Sequence, residues 1–265
     1  MTTLAATKSG PGERILLAGG RRGHLWTGAA WVVAAALALV VWQTLSHFTQ
    51  PWVPSVADVG RSTWAVLTGS GTPAEAAVTL RRVAFVTVAS IAIGVALGVA
   101  AGFSWQVRAF VRPVLVIGLA IPDLVYLIMA ILILGATESS GVIAMTIAII
   151  PLVTNAVQAS VLARDAGLDE MARTYRFTGT DYARHVVLEQ LKPALAAAVR
   201  TGFAFSWKLI VLMEALTMPD GIGARIYEGF RYLRPQDMLA WALVFIVVMK
   251  VIEPLLVLPF RTKKY

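Results

Sequence analysis

Several ionisable side chains lie inside long apolar runs, where a charge is costly unless it contacts something. Asp123 is followed one helical turn later by Tyr126, and Lys208 comes directly after Trp207. A carboxylate and an ammonium group in apolar surroundings can bind a charged solute on a pathway, or they can neutralise each other as a buried ion pair. Both roles fit the sequence. Glu214, at the end of the run that contains Lys208, joins this candidate set.

Other kinds of chemistry have little support in the residue types present. The chain has no cysteine, which excludes thiolate nucleophiles, disulfides and cysteine-ligated metals. His24, His47 and His185 are far apart in sequence, so a histidine metal site is not expected. No G-x-x-x-x-G-K-[ST] phosphate loop occurs, and the chain is therefore not expected to bind ATP by itself.

The composition indicates which elements hold these charges. Of the 265 residues, 58% are hydrophobic and 14% are charged, against about 45–50% and about 25% in a soluble domain. So few polar side chains cannot cover a water-soluble surface, and disordered chains do not contain so many aliphatic residues. The sequence therefore predicts an integral membrane protein, in which the net charge of +8 needs an explanation.

Six apolar segments are long enough to cross a bilayer, since a spanning helix needs roughly 20 residues. They predict an all-α, polytopic membrane protein with six transmembrane helices in residues 28–265, after an N-terminal segment at 1–27. The predicted spans are 28–45, 83–103, 113–134, 142–162, 193–213 and 238–259.

The positions of lysine and arginine predict the orientation, because cytoplasmic loops carry an excess of both. With the N-terminus in the cytoplasm, the cytoplasmic segments hold fourteen basic residues and the outer segments hold six. Both termini are therefore expected in the cytoplasm. Much of the positive charge then serves orientation and contact with anionic lipid, and it requires no nucleic-acid partner.

The second span is expected to begin before the membrane. Thr72 to Glu75 has the pattern of a capping box, with the Thr72 side chain at the N-cap and Glu75 at the third helical position. Arg81 and Arg82 would then lie at the interface with their head groups in water. A role in steering anions is the alternative.

Glycine and proline predict the shape of the helices. Gly94, Gly98 and Gly102 recur at every fourth residue, which is a pattern for close helix packing. A dimer interface at the same face is a further hypothesis. Pro122 and Pro151 lack a backbone N–H, so each is expected to kink its helix or to expose carbonyls to a cavity.

The longest predicted cytoplasmic loop, residues 163–192, contains a short amphipathic helix. Leu168, Met171, Ala172 and Tyr175 recur at helical spacing with charged residues between them. Such a helix can lie on lipid, or it can dock in a groove of a cytosolic partner. Periodicity alone favours neither.

Six short segments occur in an order typical of a known family. They are Thr79-Leu80-Arg81-Arg82-Val83, Glu170-Met171-Ala172-Arg173-Thr174, Val186-Val187-Leu188, Pro193-Ala194-Leu195, Met213-Glu214-Ala215-Leu216 and Gly221-Ile222-Gly223. Together they resemble bacterial ATP-binding-cassette importer permeases of the nitrate/sulfonate/taurine type, and residues 163–192 resemble the EAA loop of that family. The resemblance covers residues 72–259.

The resemblance implies the type I importer permease fold and a translocation subunit for a small organic or inorganic anion such as a sulfonate. It implies a second permease copy, two cytosolic ATPase subunits that bind ATP and Mg, and a periplasmic or lipid-anchored substrate-binding protein at the bacterial inner membrane. The chain itself would hold no cofactor or metal and would not be an enzyme.

The resemblance also assigns residues to roles. A helix at 169–180 would seat in a cleft of the ATPase. The residues with this coupling role are Asp169, Glu170, Met171, Ala172, Arg173, Tyr175 and Gly179. The pathway residues are predicted instead from the charges inside the apolar runs, and they are Asp123, Tyr126, Trp207, Lys208 and Glu214.

The chain departs from the family pattern in this loop. The family's glycine would fall at Arg176 and its proline at Glu189. The coupling helix is therefore expected to be longer or differently bent.

Two other functions are compatible with a polytopic chain. A stand-alone secondary transporter or channel would be expected to show inverted repeats, which are not evident between the halves. A membrane scaffold or membrane enzyme is the third; an enzyme would be expected to cluster His, Cys or acidic residues in its spans.

Overall fold

All secondary structure in the described part of the chain is helical, which confirms the predicted all-α fold. The computed structural model describes residues 21–49 and 51–257, and the side chains of 30–49 and 51–254. Most of the predicted N-terminal segment 1–27 and the end of the predicted sixth span lie outside the described residues. The helices are α1 (Arg21–Thr49), α2 (Val56–Thr68), α3 (Thr72–Phe103), α4 (Trp105–Ala120), α5 (Asp123–Leu134), α6 (Glu138–Leu162), α7 (Ala166–Thr174), α8 (Gly179–Asp181), a π-helical turn (Tyr182–Val187), α9 (Leu188–Thr217), α10 (Ile222–Arg231) and α11 (Pro235–Val257).

The chain divides into two compact units, residues 1–59 and 60–265. In the first unit, the segment after α1 folds back onto that helix. The Trp42 indole N–H donates to the Pro54 carbonyl at 3.0 Å, and the Ser46 hydroxyl donates to the Val53 carbonyl at 3.0 Å. Val53 and Pro54 lie outside the helices, and these two bonds supply donors to their carbonyl groups.

The core of the second unit lies where α3, α6 and α9 pack together. Each helix contributes fully buried aliphatic or aromatic side chains, as expected where apolar faces meet. Examples are Val83, Val86, Met145, Ile149, Val153, Val157, Phe203, Ile210 and Met213. The Gly202 backbone of α9 lies against Ile91 of α3, and Glu214 of α9 contacts Thr79 of α3. These two contacts show that α3 and α9 are antiparallel.

Glycines set the contact between α3 and α6. A Cβ at Gly94 would lie 2.7 Å from the Cβ of Val153, and one at Gly98 would lie 2.7 Å from the Cβ of Val157. No side chain fits at such distances, so the glycines allow the two helices to approach closely. This confirms the predicted packing face, and the partner helix belongs to the same chain. The pairs are Gly94–Val153, Gly98–Val157 and Gly102–Val161, which shows that α3 and α6 are parallel.

Five helices of the described residues are long and apolar enough to cross a membrane. They correspond to the first, second, fourth, fifth and sixth predicted spans. Their bounds are Ala30–Thr49, Thr72–Phe103, Glu138–Leu162, Gly179–Thr217 and Pro235–Pro254.

The predicted third span, 113–134, is not one continuous helix. α4 ends at Ala120, α5 begins at Asp123, and the two helices meet at 98°. Pro122 causes the break because it has no N–H to donate and holds Ile121 in an extended conformation, with φ −73° and ψ 126°. Asp123 therefore begins a new helix.

The second proline in an apolar run behaves differently. Pro151 lies inside α6, which continues unbroken from Glu138 to Leu162. The Gly118 backbone of α4 packs against the Pro151 ring, and a Cβ at Gly118 would lie 2.7 Å from Pro151 Cγ. The backbone of the neighbouring helix therefore packs directly on the proline ring.

The predicted capping box at the start of α3 is wrong. Gly71 occupies the N-cap, and no side chain caps the helix. The Thr72 hydroxyl donates to the Val66 carbonyl of α2. The Glu75 carboxylate accepts from the Gly221 amide at 2.6 Å. The Glu75 carboxylate therefore binds the distant turn at Gly221 and does not cap its own helix.

Candidate functional site

Arg82, near the start of α3, is buried and contacts three acidic residues. Its guanidinium donates to Glu214 at 2.9 Å, to the Asp220 carboxylate at 2.7 Å and to Glu138 at 3.1 Å. The Arg82 side chain is 2% exposed and that of Glu214 is 0% exposed. A charge this far from water is tolerated only when its partners are well placed. Arg82 thus joins α3 to α6, to α9 and to the turn before α10.

The Glu214 carboxylate has further donors. Thr79 donates its hydroxyl to Glu214 at 2.8 Å, and the Gly223 amide donates at 3.0 Å. A Cβ at Gly221 would collide with the Glu214 carboxylate, and Gly221 has a φ of +97°. A Cβ at Gly223 would lie 2.7 Å from the Glu214 Cβ. The turn reaches the carboxylate because both positions lack a side chain.

Arg225 of α10 makes a second set of ion pairs beside the first. It donates twice to Glu75, at 2.9 and 2.6 Å, and once to Glu228 at 2.6 Å. The hydrogen bonds to Glu228 and Glu75 raise the pKa of Arg225 above its ordinary value, so this guanidinium stays charged. The residues linked by these hydrogen bonds and ion pairs form an ionic cluster, which consists of Glu75, Thr79, Arg82, Glu138, Glu214, Asp220 and Arg225.

The predicted position of the Arg82 head group in water is wrong. Arg82 points into the bundle because four hydrogen bonds to α6, α9 and the following turn are available there. Arg81 behaves as predicted: its side chain is 65% exposed, and it pairs at 2.6 Å with Glu138, whose side chain is 42% exposed.

Two of the predicted pathway residues lie in the interior of the chain. Trp207 is completely buried, and its ring stacks on Phe245 of α11 with centroids 4.9 Å apart. Glu214 belongs to the ionic cluster. Lys208, the next residue after Trp207, is exposed on another face of α9. Helical geometry separates neighbouring side chains in this way.

Asp123 and Tyr126 lie at the break between α4 and α5. The Tyr126 hydroxyl donates to the Gly118 carbonyl at 2.9 Å and so closes the bend. Within the described residues, no ion pair joins Asp123 to Lys208, and no three His or acidic side chains are placed to hold a metal ion. The alternative of a direct structural salt bridge within the described chain is therefore not found.

At the far end of α3, the predicted coupling loop forms a compact junction around Asp169. The Tyr182 hydroxyl donates to Asp169 at 2.9 Å, and the Arg164 guanidinium lies 3.7 Å from the same carboxylate. Arg164 also donates to the Tyr182 hydroxyl at 3.3 Å and lies 4.2 Å over the Phe103 ring. These four residues, the loop junction, connect α7 with the ends of α3 and α6 and with the π-helical turn that continues into α9.

Most residues of α7 are exposed to solvent. Of the predicted coupling residues, Ala172 is buried and Asp169 is half-buried. The exposed members are Glu170, Met171, Arg173, Tyr175 and Gly179.

The predicted coupling helix 169–180 is wrong in its bounds, because α7 starts at Ala166 and ends at Thr174. Arg176 follows with a φ of +51°. The Phe177 amide donates to the Ala172 carbonyl at 2.9 Å, and the Arg176 amide donates to Arg173 at 3.1 Å. This is the Schellman motif, which usually has glycine at the left-handed position. Arg176 thus keeps the backbone turn expected of the family's glycine, and the helix is not lengthened.

Residues 90–256 match the family described as binding-protein-dependent transport system inner membrane component. The chain belongs to this family. It is 28% identical over 209 residues to the nitrate import permease protein NrtB of Synechocystis sp., with 75% of each chain covered. It is 23% identical over 177 residues to the taurine transport system permease protein TauC of Escherichia coli, covering 67% of this chain and 64% of the relative. It is 25% identical over 162 residues to the putative aliphatic sulfonates transport permease protein SsuC of Bacillus subtilis, covering 61% and 58%.

The chain is therefore a multi-pass permease subunit of an ATP-binding-cassette importer, which confirms the family and fold expected from the six segments. Membership of this family does not support the alternative prediction of a stand-alone channel or secondary transporter.

Most of the ionic cluster in this permease was not singled out from the sequence. Three of the segments that carry the family resemblance meet there, since they contain Thr79 and Arg82, Glu214, and Gly221 with Gly223. The presence of these three family segments in one sequence is the feature that could have indicated the cluster. The members without a predicted functional role are Glu75, Thr79, Glu138, Asp220 and Arg225, and Arg82 has only the alternative role of steering anions.

Proposed function

We propose that this permease forms a pathway for a small organic or inorganic anion and that a separate cytosolic ATPase drives it through α7. The observation that carries the proposal is the loop junction. An exposed amphipathic helix that is tied to three spans through Asp169, Arg164, Tyr182 and Phe103 is suited to transmit a partner's motion.

The transmission follows from the contacts. Because Asp169 bonds to Tyr182 and Arg164, a displacement of α7 moves the start of α9 and the end of α6 with it. The Arg164 contact with Phe103 extends the displacement to α3. The glycine contact between α3 and α6 makes these two spans move as one body, since close-packed interiors are not freely deformable. α9 would then shift against that body.

Lys208 supports an anion as the solute. An exposed ammonium group in an apolar stretch without an acidic partner among the described residues needs water, a partner subunit or an anion. The relatives are named for nitrate, taurine and aliphatic sulfonates, which share a planar or tetrahedral oxyanion group. Lys208 and Asp123 would face the pathway, with Tyr126 holding the bend beside Asp123.

The remaining partners follow from this role. A second permease copy would complete the pathway, two ATPase subunits would bind ATP and Mg, and a periplasmic or lipid-anchored binding protein would deliver the solute. The basic loop that contains α7 would face the cytoplasm, in agreement with the positive-inside rule, and both termini would lie on that side of the inner membrane.

Glu170→Arg is expected to uncouple the importer. Glu170 is exposed on α7 and makes no ion pair within the described residues, so reversing its charge spares the fold and changes only the surface offered to the ATPase. Solute-stimulated ATP hydrolysis and uptake should both fall about 10-fold or more in proteoliposomes, or the ATPase should no longer co-purify.

Glu189→Arg is the matched control, because Glu189 is an exposed glutamate that lies outside α7 and, among the described residues, has an ion pair with Lys192 alone. It should keep near-normal uptake. Normal uptake and normal ATPase association in Glu170→Arg would contradict coupling through α7.

Lys208→Met is expected to lower uptake of the anion by about 10-fold or more while leaving ATPase association intact, since it removes a cation without changing the length of the side chain much. Lys250→Met is the control: Lys250 is also exposed on a span, but it pairs with Glu253 at 3.1 Å. Uptake assays in proteoliposomes decide the matter. Equal uptake by both variants would remove Lys208 from the pathway.

A further inference from the structure

A cleft of about 510 Å³ lies beside the ionic cluster, between α2, the start of α3, α10 and the start of α11. Its volume is within the range of about 300–1,000 Å³ that is usual for small-ligand sites. All the lining residues belong to the second compact unit. None of the roles proposed above uses this cleft.

The lining of the cleft combines charges of both signs with aromatic rings. Arg225 is one of the lining cations, but Glu75 and Glu228 already occupy its donors. Arg234 and Asp237 also line the cleft, and within the described residues neither has an oppositely charged partner. The cleft therefore offers one uncommitted cation and one uncommitted anion.

Aromatic rings flank these two charges. Tyr232 and Trp241 line the same cleft, and the Arg234 guanidinium lies 5.9 Å from the centre of the Tyr232 ring. Trp is the ring that attracts an ammonium group most strongly, and the attraction grows when the site is shielded from water. Trp241 and Asp237 are four residues apart on α11, so they lie on one face of that helix.

The backbone of Leu233, at the edge of the cleft, has an unfavourable conformation. Leu233, between Tyr232 and Arg234, has a φ of +56°. The Arg234 amide donates to the Gly229 carbonyl at 2.8 Å, which fixes this turn after α10. A bulky residue seldom adopts such a conformation, and sites that keep it are enriched in functional positions.

We propose that this cleft binds a zwitterion that carries an oxyanion and an ammonium group. Arg234 contacts the oxyanion, and Asp237 with the Trp241 ring holds the ammonium group. The three carboxylates and two guanidinium groups of the lining leave an excess of negative charge, which favours a ligand with an ammonium group over a simple anion.

The headgroup of an ethanolamine phospholipid carries these two groups. It would also lie at the same depth in the membrane as the cleft. α3 and α11 both begin at the cleft, and both are long enough to span a membrane. Trp241 lies about 9 Å along α11 from Pro235, within the interfacial zone where Trp and Tyr accumulate. A free solute such as phosphoethanolamine carries the same two groups and would use the same contacts.

The test measures lipid binding to the purified importer complex by native mass spectrometry. The complex is delipidated and titrated with phosphatidylethanolamine, with phosphatidylglycerol, or with water-soluble phosphoethanolamine. Phosphatidylethanolamine should bind at least about 10-fold more tightly than phosphatidylglycerol, and Arg234→Gln and Asp237→Asn should each remove about 10-fold or more of that affinity. Arg231→Gln changes an exposed arginine of α10 that does not line the cleft, and it should bind as the unaltered complex does.

The outcomes separate the two sources of the ligand. Preferential binding of the lipid that the two variants weaken supports a headgroup site. Binding of phosphoethanolamine alone, with the same sensitivity to the variants, supports the site with a free solute as its ligand. Arg234→Lys, which keeps the charge, guards against misfolding and should retain most of the affinity. The proposal is overturned if no ligand distinguishes Arg234→Gln from Arg231→Gln.

Discussion

Arg82→Gln should destabilise the permease strongly, whereas Arg81→Gln should change it little. The substitution at Arg82 leaves the fully buried Glu214 carboxylate without its cationic partner, which costs about 3–5 kcal/mol. The exposed pair of Arg81 with Glu138 contributes at most about 1 kcal/mol. The thermal midpoint of the purified complex in detergent should fall by roughly 6–20 °C for the first variant.

A double substitution distinguishes an ion-pair effect from a packing effect. In Arg82→Met with Glu214→Met, no buried charge remains unpaired, so the double variant should be more stable than Arg82→Gln. Asp220 and Glu138 can remain charged in this variant because both are substantially exposed. Similar midpoints for the Arg81 and Arg82 variants would contradict the buried ion pair. A double variant less stable than Arg82→Gln would contradict the explanation by an unpaired charge.

Gly98→Ala should destabilise the complex, while the same change at Gly60 should be neutral or stabilising. The new Cβ at Gly98 would lie 2.7 Å from the Val157 Cβ and 2.8 Å from the Thr154 carbonyl oxygen. Overpacking of this kind costs about 1–3 kcal/mol, and the carbonyl cannot move without bending α6. A methyl group added at Gly60 in α2 would meet no atom within 4 Å, so alanine there brings only its better helix propensity, up to about 1 kcal/mol.

Thermal midpoints of Gly94→Ala, Gly98→Ala and Gly102→Ala should all fall below that of Gly60→Ala. Uptake should fall in the same three variants, because the proposed transmission needs α3 and α6 to move together. If the three variants matched Gly60→Ala in both measurements, the close contact between the helices would be wrong.

The length of each apolar run was sufficient to predict the spans, and the spacing of Gly94, Gly98 and Gly102 was sufficient to predict a packing face. Both are properties of single helices, and a sequence records them directly. The consequence of a proline was not predictable in this way. Pro122 separates two helices, whereas Pro151 lies inside an unbroken helix, with Gly118 of another helix packed on its ring.

The ionic cluster shows why the site was harder to predict than the spans. Arg81 and Arg82 are adjacent and identical in type, so only the rotation of α3 relative to α6 and α9 decides which one is buried. Glu75 matched a local capping motif but is used by Gly221 and Arg225. Long-range pairings of this kind depend on the whole packing arrangement, and a single sequence does not contain them in a local pattern.

The parallel contact between α3 and α6 decides how the chain is threaded between them. Two neighbouring spans that run in the same direction require the intervening chain to return across the bilayer. The bent pair of α4 and α5 must therefore be a complete crossing and not a re-entrant loop. Arg82 and Phe103, which belong to the ionic cluster and to the loop junction, are then separated along α3 by about 32 Å. This is close to the thickness of the hydrocarbon core, so the ionic cluster and the loop junction lie near opposite ends of one membrane-spanning length of α3.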